Sequence, residues 1–250
     1  MTRTNFSLFG ALTLAAALAA CDASSPGVGG QVSFNVSTSG GLTVGAPFDP
    51  DTLTDASGNV LVLTKVELVL RDIEFERENH DNCDSVSTGN DDDCEEFEAG
   101  PVLIDLPLRG GASHEFTVAV DAGTFDEIEL QIHKPEDDGD SRDLAFIAAH
   151  PDLENVSIRV TGTFNGTAFT FTSDLNVDQE FHLNPPLVVS AQTDVAVTLQ
   201  VDLSGWFLSG AVLIDPSLAL QGGTFEGLVE NNIEASFDAF NDDDEDGESD

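Results

Sequence analysis

The stretch VLVLTKVELVLRDIEFER, residues 60–77, decides the fold class, because its apolar residues recur at every second position. Val66, Leu68 and Leu70 share one face of an extended chain, and period two marks a β-strand with one buried side. Beyond Arg71 the apolar positions move to Ile73 and Phe75, so the spacing predicts a β-bulge near Arg71-Asp72. Asp55-Ala56-Ser57-Gly58-Asn59, just before the strand, has the composition of a turn. Outward from this segment the pattern repeats at Val32, Phe34 and Val36, from Val102 to Leu106, and at Phe116, Val118 and Val120. It continues at Ile128, Leu130 and Ile132, then at Val156, Ile158, Val160 and Phe164. Asn165-Gly166 between Phe164 and the pair Phe169 and Phe171 is a hairpin signal, since both residues tolerate positive φ. Phe181 and Leu183 precede Pro185-Pro186, which must lie at a sheet edge or a break because proline has no N–H for a ladder. Val195, Val197, Leu199, Val201 and Leu203 form another one-sided strand. Eight or more short strands at this spacing predict an all-β fold, an antiparallel β-sandwich over residues 31–222. Leu144 to His150 reads equally well as a short helix or a buried strand.

The period changes near the C-terminus. Phe225, Leu228, Val229, Ile233, Phe237 and Phe240 recur at steps of three and four, which predicts an amphipathic helix over residues 223–240 with Thr224 as its cap. It is expected to act as a lid over the sandwich. Residues 241–250 follow as an acidic, disordered tail.

At the other end, residues 1–20 read as a secretion signal. Arg3 supplies a positive start, Phe6 to Ala17 an apolar run, and Ala15 to Ala20 small residues suited to a signal peptidase. Leu18-Ala19-Ala20-Cys21 resembles the bacterial lipobox, which implies that Cys21 carries a diacylglyceryl group and becomes the mature N-terminus. Acyl chains contribute about 0.8 kcal/mol per buried methylene, so two or three of them hold a protein stably on a membrane. Residues 21–30 then serve as a flexible linker from the lipidated cysteine. Asp22 resembles the residue that retains lipoproteins in the inner membrane of enteric bacteria, a rule that differs between lineages and leaves the leaflet open. The expected place is the extracytoplasmic side of a bacterial cell envelope.

Removing Arg3 with the signal leaves seven basic residues against 47 acidic ones, a formal charge of −40. Such a chain repels nucleic acid and anionic headgroups and attracts calcium or a basic protein. Lys65 and Lys134 are the only lysines, and acid-rich, lysine-poor composition is equally that of a surface adapted to salt. With Cys21 assigned to lipid, Cys83 and Cys94 remain as a pair. Outside the cytoplasm they are expected to form a disulfide, a crosslink worth about 3 kcal/mol over so short a loop. The alternative is a zinc site using His80 with reduced thiols.

Within the tail, Asp242-Asp243-Asp244-Glu245-Asp246-Gly247-Glu248-Ser249-Asp250 fits D-x-D-x-D-G-x-x-D, the opening of an EF-hand or dockerin-like calcium loop. Asp242, Asp244 and Asp246 would aim carboxylates at one hard cation, Gly247 would permit the sharp turn, Glu248 would offer its carbonyl and Asp250 a ligand through water. No glutamate stands at the twelfth loop position within this sequence, so calcium loop and plain acidic tail remain side by side. His114-Glu115 begins like a zinc-protease motif but lacks the second histidine. His80, His114, His133, His150 and His182 show no ligand spacing, and no nucleophile elbow, phosphate loop or dinucleotide fingerprint is present. No catalytic residue is expected. With no tyrosine and one tryptophan, exposed sugar-stacking platforms are not expected either, and Trp206-Phe207 is placed at the end of the core.

Several segments together resemble a family of bacterial lipoproteins of unknown function. They are Leu63-Thr64-Lys65-Val66-Glu67-Leu68-Val69-Leu70 with Ile73-Glu74-Phe75, Ile104-Asp105-Leu106, Val120-Asp121-Ala122-Gly123-Thr124-Phe125, and Leu199-Gln200-Val201-Asp202-Leu203. The resemblance implies an immunoglobulin-like or transthyretin-like sandwich and an envelope location, and nothing about activity. The expectation is a non-catalytic binding or interaction module, with a structural envelope protein lacking a specific ligand as the alternative.

Overall fold

The computed structural model describes residues 29–39, 52–77, 100–108, 111–191 and 194–249. Cys21, Cys83, Cys94 and Asp250, and with them the signal segment and the expected disulfide loop, lie outside the described residues. The strands are β1 (Gly30–Ser39), β2 (Thr52–Thr54), β3 (Val60–Arg77), β4 (Val102–Asp105), β5 (Ala112–Val120) and β6 (Gly123–Ile132). Helix α1 (Ser141–Ala149) follows, then β7 (Ile158–Phe164), β8 (Thr167–Ser173), β9 (Val177–Val189) and β10 (Asp194–Asp202). The short hairpin β11 (Leu208–Ser209) and β12 (Val212–Leu213), helix α2 (Glu226–Glu234) and β13 (Phe237–Asn241) complete the fold.

These strands form an all-β sandwich. One sheet has the order β13-β10-β1-β5, and the other runs β8-β7-β3-β6-β9 with β2 and β4 also paired to β3. Among the described residues every pairing is antiparallel except β1 with β10, which run in the same direction. The alternation that marked the strands is the alternation of the core: Val32, Phe34 and Val36 from one sheet and Val66, Leu68, Leu70, Ile73 and Phe75 from the other are all fully buried in one cluster. The expected bulge is present, with the β3–β6 register shifting between Arg71 and Glu74 and Asp72 at φ 48°. Asn165 and Gly166 adopt φ 50° and 78°, closing the β7–β8 hairpin, and Asn165 Oδ1 accepts the Val60 N–H at 2.9 Å. Pro185 and Pro186 sit in β9, at the sheet edge, as the missing N–H requires. Gly162 in β7 has no room for a side chain, since a Cβ there would stand 2.0 Å from the Val62 carbonyl oxygen.

Three C-terminal expectations need correction. The helix spans only Glu226–Glu234, its cap is Phe225 rather than Thr224, and no side chain caps it. Residues 237–241 form a strand, because Phe237, Ala239 and Asn241 pair with Val201, Leu199 and Val197 along the open edge of β10. Val229, Ile233, Phe237 and Phe240 are compatible with a helix, but Phe237 and Ala239 also alternate, and an unpaired edge rewards the strand. The disordered tail is likewise absent through residue 249, since Asp242 is fully buried and the chain folds back over the sheet. Val229 and Ile233 of α2 are fully buried in the core, so this helix does cover one end of the sandwich, as do Trp206 and Phe207.

The segment 144–150, open between helix and strand, is helical through Ala149 in α1 with His150 as its C-cap, and the Asp140 N-cap accepts the Arg142 N–H. A charged cluster ties α1 to β3 and β6. Asp143, buried, accepts from His133 Nε2 at 2.8 Å, from the Glu136 N–H at 3.0 Å and from Arg71 at 3.4 Å. The other ring nitrogen of His133 meets Gln131 Oε1 at 2.9 Å, and Gln131 Nε2 in turn donates to Asp178. A second cluster joins β3 to β7, where buried Glu67 accepts Lys65 and both Nε and Nη2 of Arg159, which also contacts Asp152. Arg159 and Lys65 hold the Glu67 carboxyl below its usual range. Asp143→Ala is expected to lower the unfolding free energy by roughly 3 kcal/mol in urea titration, because it leaves His133 Nε2 and the Glu136 N–H without the acceptor they share.

Candidate cation sites

The acidic motif at the end of the chain folds into a closed loop rather than an extended tail. Asp242 continues the β13 ladder, its N–H bonded to the Ala196 carbonyl at 3.0 Å. The chain then turns through Glu245, at φ 56°, and Gly247, at φ 85°, the position where the calcium-loop pattern calls for glycine. The turn wraps around one carboxylate. Asp242 Oδ1 accepts the Asp246 N–H, and Oδ2 accepts both the Gly247 N–H and the Thr198 hydroxyl, the last at 2.6 Å. A carboxylate has about four lone-pair directions, so Asp242 keeps one for a further partner. One carboxylate oxygen from each of Asp242, Asp244 and Asp246 comes within 4.8 Å of the others. Glu248 leaves the turn with its N–H on Asp246 Oδ1 at 2.8 Å. The spacing of Asp242, Asp244 and Asp246 thus does bring three carboxylates together.

Beneath this loop lies the outer face of the four-stranded sheet. Alternation puts Val32, Phe34 and Val36 inward, so Ser33, Asn35 and Ser37 of β1 point outward, and Thr198 and Gln200 of β10 point the same way as their register partners Asn35 and Ser37. An outer face should be wet, yet Asn35 is 1% exposed, Ser37 2% and Thr198 fully buried. Gly247 lies over it: a Cβ there would be 3.2 Å from Ser37 Cβ, and Gln200 Nε2 reaches the Gly247 carbonyl at 3.3 Å. Neither Asn35 Oδ1 nor Nδ2, nor Ser37 Oγ, has a hydrogen-bond partner among the described residues. Each such group costs about 1–3 kcal/mol when buried unsatisfied.

A second acidic cluster was not legible in the sequence. On the outer face of the other sheet, Glu76 of β3 stands opposite Glu127 of β6, Glu129 opposite Glu180 of β9, and Glu127 opposite His182. Like charges directly across a ladder repel. His182 Nδ1 lies 2.7 Å from Glu127 Oε2, and Glu127, Glu180 and His182 bring three ligand atoms within 4.8 Å, as do Glu76, Glu127 and Glu129. Burial, with Glu180 and Glu76 adding, pushes the Glu127 carboxyl up to about 7, and His182 opposes the rise. These residues come from three strands, and only the pairing registers join them. Asp174, Glu226 and Glu230 form a third such group beside α2. Of the remaining histidines, His114 bonds Thr117 Oγ1 within its own strand, and His133 serves the ion cluster at α1. Among the described residues no helix is long and apolar enough to cross a membrane.

Glu127 makes a pH signature. Its proton is lost from the unfolded chain near 4.5 but kept in the folded one to about 7, so the stability it contributes is complete below pH 4.5 and lost as pH rises through 7. Glu127→Gln should therefore melt higher than wild type at pH 8 and at the same temperature at pH 4, read by circular dichroism.

No family model and no curated protein matches the chain. Among solved structures it is similar to MbnP from Methylosinus trichosporium, at 13% identity over 75% of this chain and 80% of that one, with a TM-score of 0.33, a likeness that carries no argument about function.

Proposed function

We propose that this protein is a lipid-anchored, extracytoplasmic, non-catalytic binding module whose C-terminal loop takes calcium. The observation that carries the reading is the convergence of Asp242, Asp244 and Asp246 around a turn whose first carboxylate is already fixed by two backbone N–H groups and Thr198. Calcium prefers six to eight oxygens in flexible geometry, and weak extracellular sites work at submillimolar to millimolar concentrations. The lipobox-like Leu18-Ala19-Ala20-Cys21 supports the anchor, and the acidic composition supports a location rich in cations rather than nucleic acid. Absence of a nucleophile motif supports the non-catalytic assignment.

The second reading is a structural envelope protein whose charge serves solubility in salt. Directly opposed glutamates on β3, β6 and β9 favour it, since their repulsion is relieved by any electrolyte. The same face would suit a basic protein partner.

Calcium at about one hundred times its dissociation constant stabilises by about 2.7 kcal/mol, a rise in melting temperature of roughly 5–10 °C for a chain of this size. Magnesium chloride at matched ionic strength should give clearly less. Equal shifts from both salts would favour the second reading. For the anchor, labelled palmitate should enter the wild-type protein in a bacterial host, and Cys21→Ser should abolish the label and release the protein from the membrane fraction.

A further inference from the structure

We propose that β1 supplies part of the cation site: the amide oxygen of Asn35 is a calcium ligand, and calcium thereby fastens the C-terminal loop onto the four-stranded sheet. The inference rests on the calcium reading of the Asp242 loop and assigns a residue 207 positions away in sequence to it.

Asn35 is the register partner of Thr198, on the same outer face, and the Thr198 hydroxyl already reaches Asp242 Oδ2. The loop crosses this face from Asp242, bonded to Ala196 in the row before Thr198, to Gly247, which lies over Ser37 in the row after. Asn35 therefore stands under the span of the loop. It is 1% exposed, and both polar atoms of its side chain lack a hydrogen-bond partner among the described residues. A buried amide is retained in a core only where something meets its oxygen and its N–H groups. Three aspartate oxygens leave a calcium ion short of its usual six to eight ligands, and asparagine carbonyl oxygens are among the donors it accepts. Thr198, whose hydroxyl is committed to Asp242, and Ser37, whose hydroxyl is unpartnered among the described residues, complete a polar floor that an apolar sheet face would not need.

A ligand from β1 changes what calcium does. Bound only by the tail, the ion would order a terminal loop. Bound also by Asn35, it links β13 through β10 to β1, so occupancy controls whether the outer face of this sheet is covered.

The test is calcium titration calorimetry on the full-length protein in detergent, with Asn35→Ala, Asn35→Asp and Asp244→Asn beside wild type. Asn35→Ala should weaken calcium roughly tenfold or more, as loss of a coordinating partner does. Asn35→Asp, of the same shape with an added charge, should bind at least as tightly as wild type, which also controls for folding. Hydrogen exchange of residues 242–249 should slow with calcium in wild type and in Asn35→Asp, but not in Asn35→Ala. Wild-type affinity in Asn35→Ala would overturn the assignment, leave the tail site standing, and mean that ordered water satisfies Asn35. Absence of saturable heat in wild type would overturn both, and Asp244→Asn binding like wild type while Asn35→Ala does not would move the site off the tail.

Discussion

The sandwich depends on the burial of β3. Over eighteen residues this strand pairs with β2, β4, β6 and β7, and Val66, Leu68, Val69, Leu70, Ile73 and Phe75 are all fully buried. A strand this long cannot stay in register with one flat core, and right-handed twist would carry its far end away. The bulge at Arg71-Asp72 resets the inward face from even to odd positions, so that Ile73 and Phe75 stay in the same core as Leu70. The rest of the second sheet is assembled on the two halves of β3 that the bulge defines.

Charge is the second constraint. With 47 acidic and eight basic residues, carboxylates far outnumber cations, and several of the few basic side chains stand beside buried carboxylates. Arg159 and Lys65 serve Glu67, and Arg71 with His133 serves Asp143, each a carboxylate with a side chain only 3–4% exposed. Asp72 and Asp140, which also pair with Arg71, are more exposed, and Glu127 stands across the ladder from Glu76. Glu127 shows the consequence, held protonated toward neutral pH because burial and two neighbouring glutamates oppose its ionisation. Asp242 shows the other solution, a buried carboxylate stabilised by a hydroxyl and backbone N–H groups instead of a cation.

Much of this was legible along the chain. Alternating apolar residues marked the strands, Asn165-Gly166 the hairpin, Pro185-Pro186 the edge, and the D-x-D-x-D-G spacing the carboxylates that converge at the C-terminus. Phe237 to Phe240 fits a helical period as well as a strand, and the free edge of β10 selects the strand. Glu127 with His182, and Asn35 beside Thr198, carried no sequence signal. Neither member of each pair is near the other in the chain, and their neighbourhood follows from strand register alone.

The amino-acid sequence by itself determined most of the long strands, their buried faces, the position of the bulge and the Asn165-Gly166 turn, because side-chain alternation and turn chemistry act within a few residues. Tertiary structure alone decided that β1 runs parallel to β10, that the C-terminal segment becomes β13, and that the acidic loop closes over Ser37 and Gln200. Those outcomes depend on which edges remain unpaired after the core has formed and on which registers align across strands, quantities set by long-range packing rather than by local pattern.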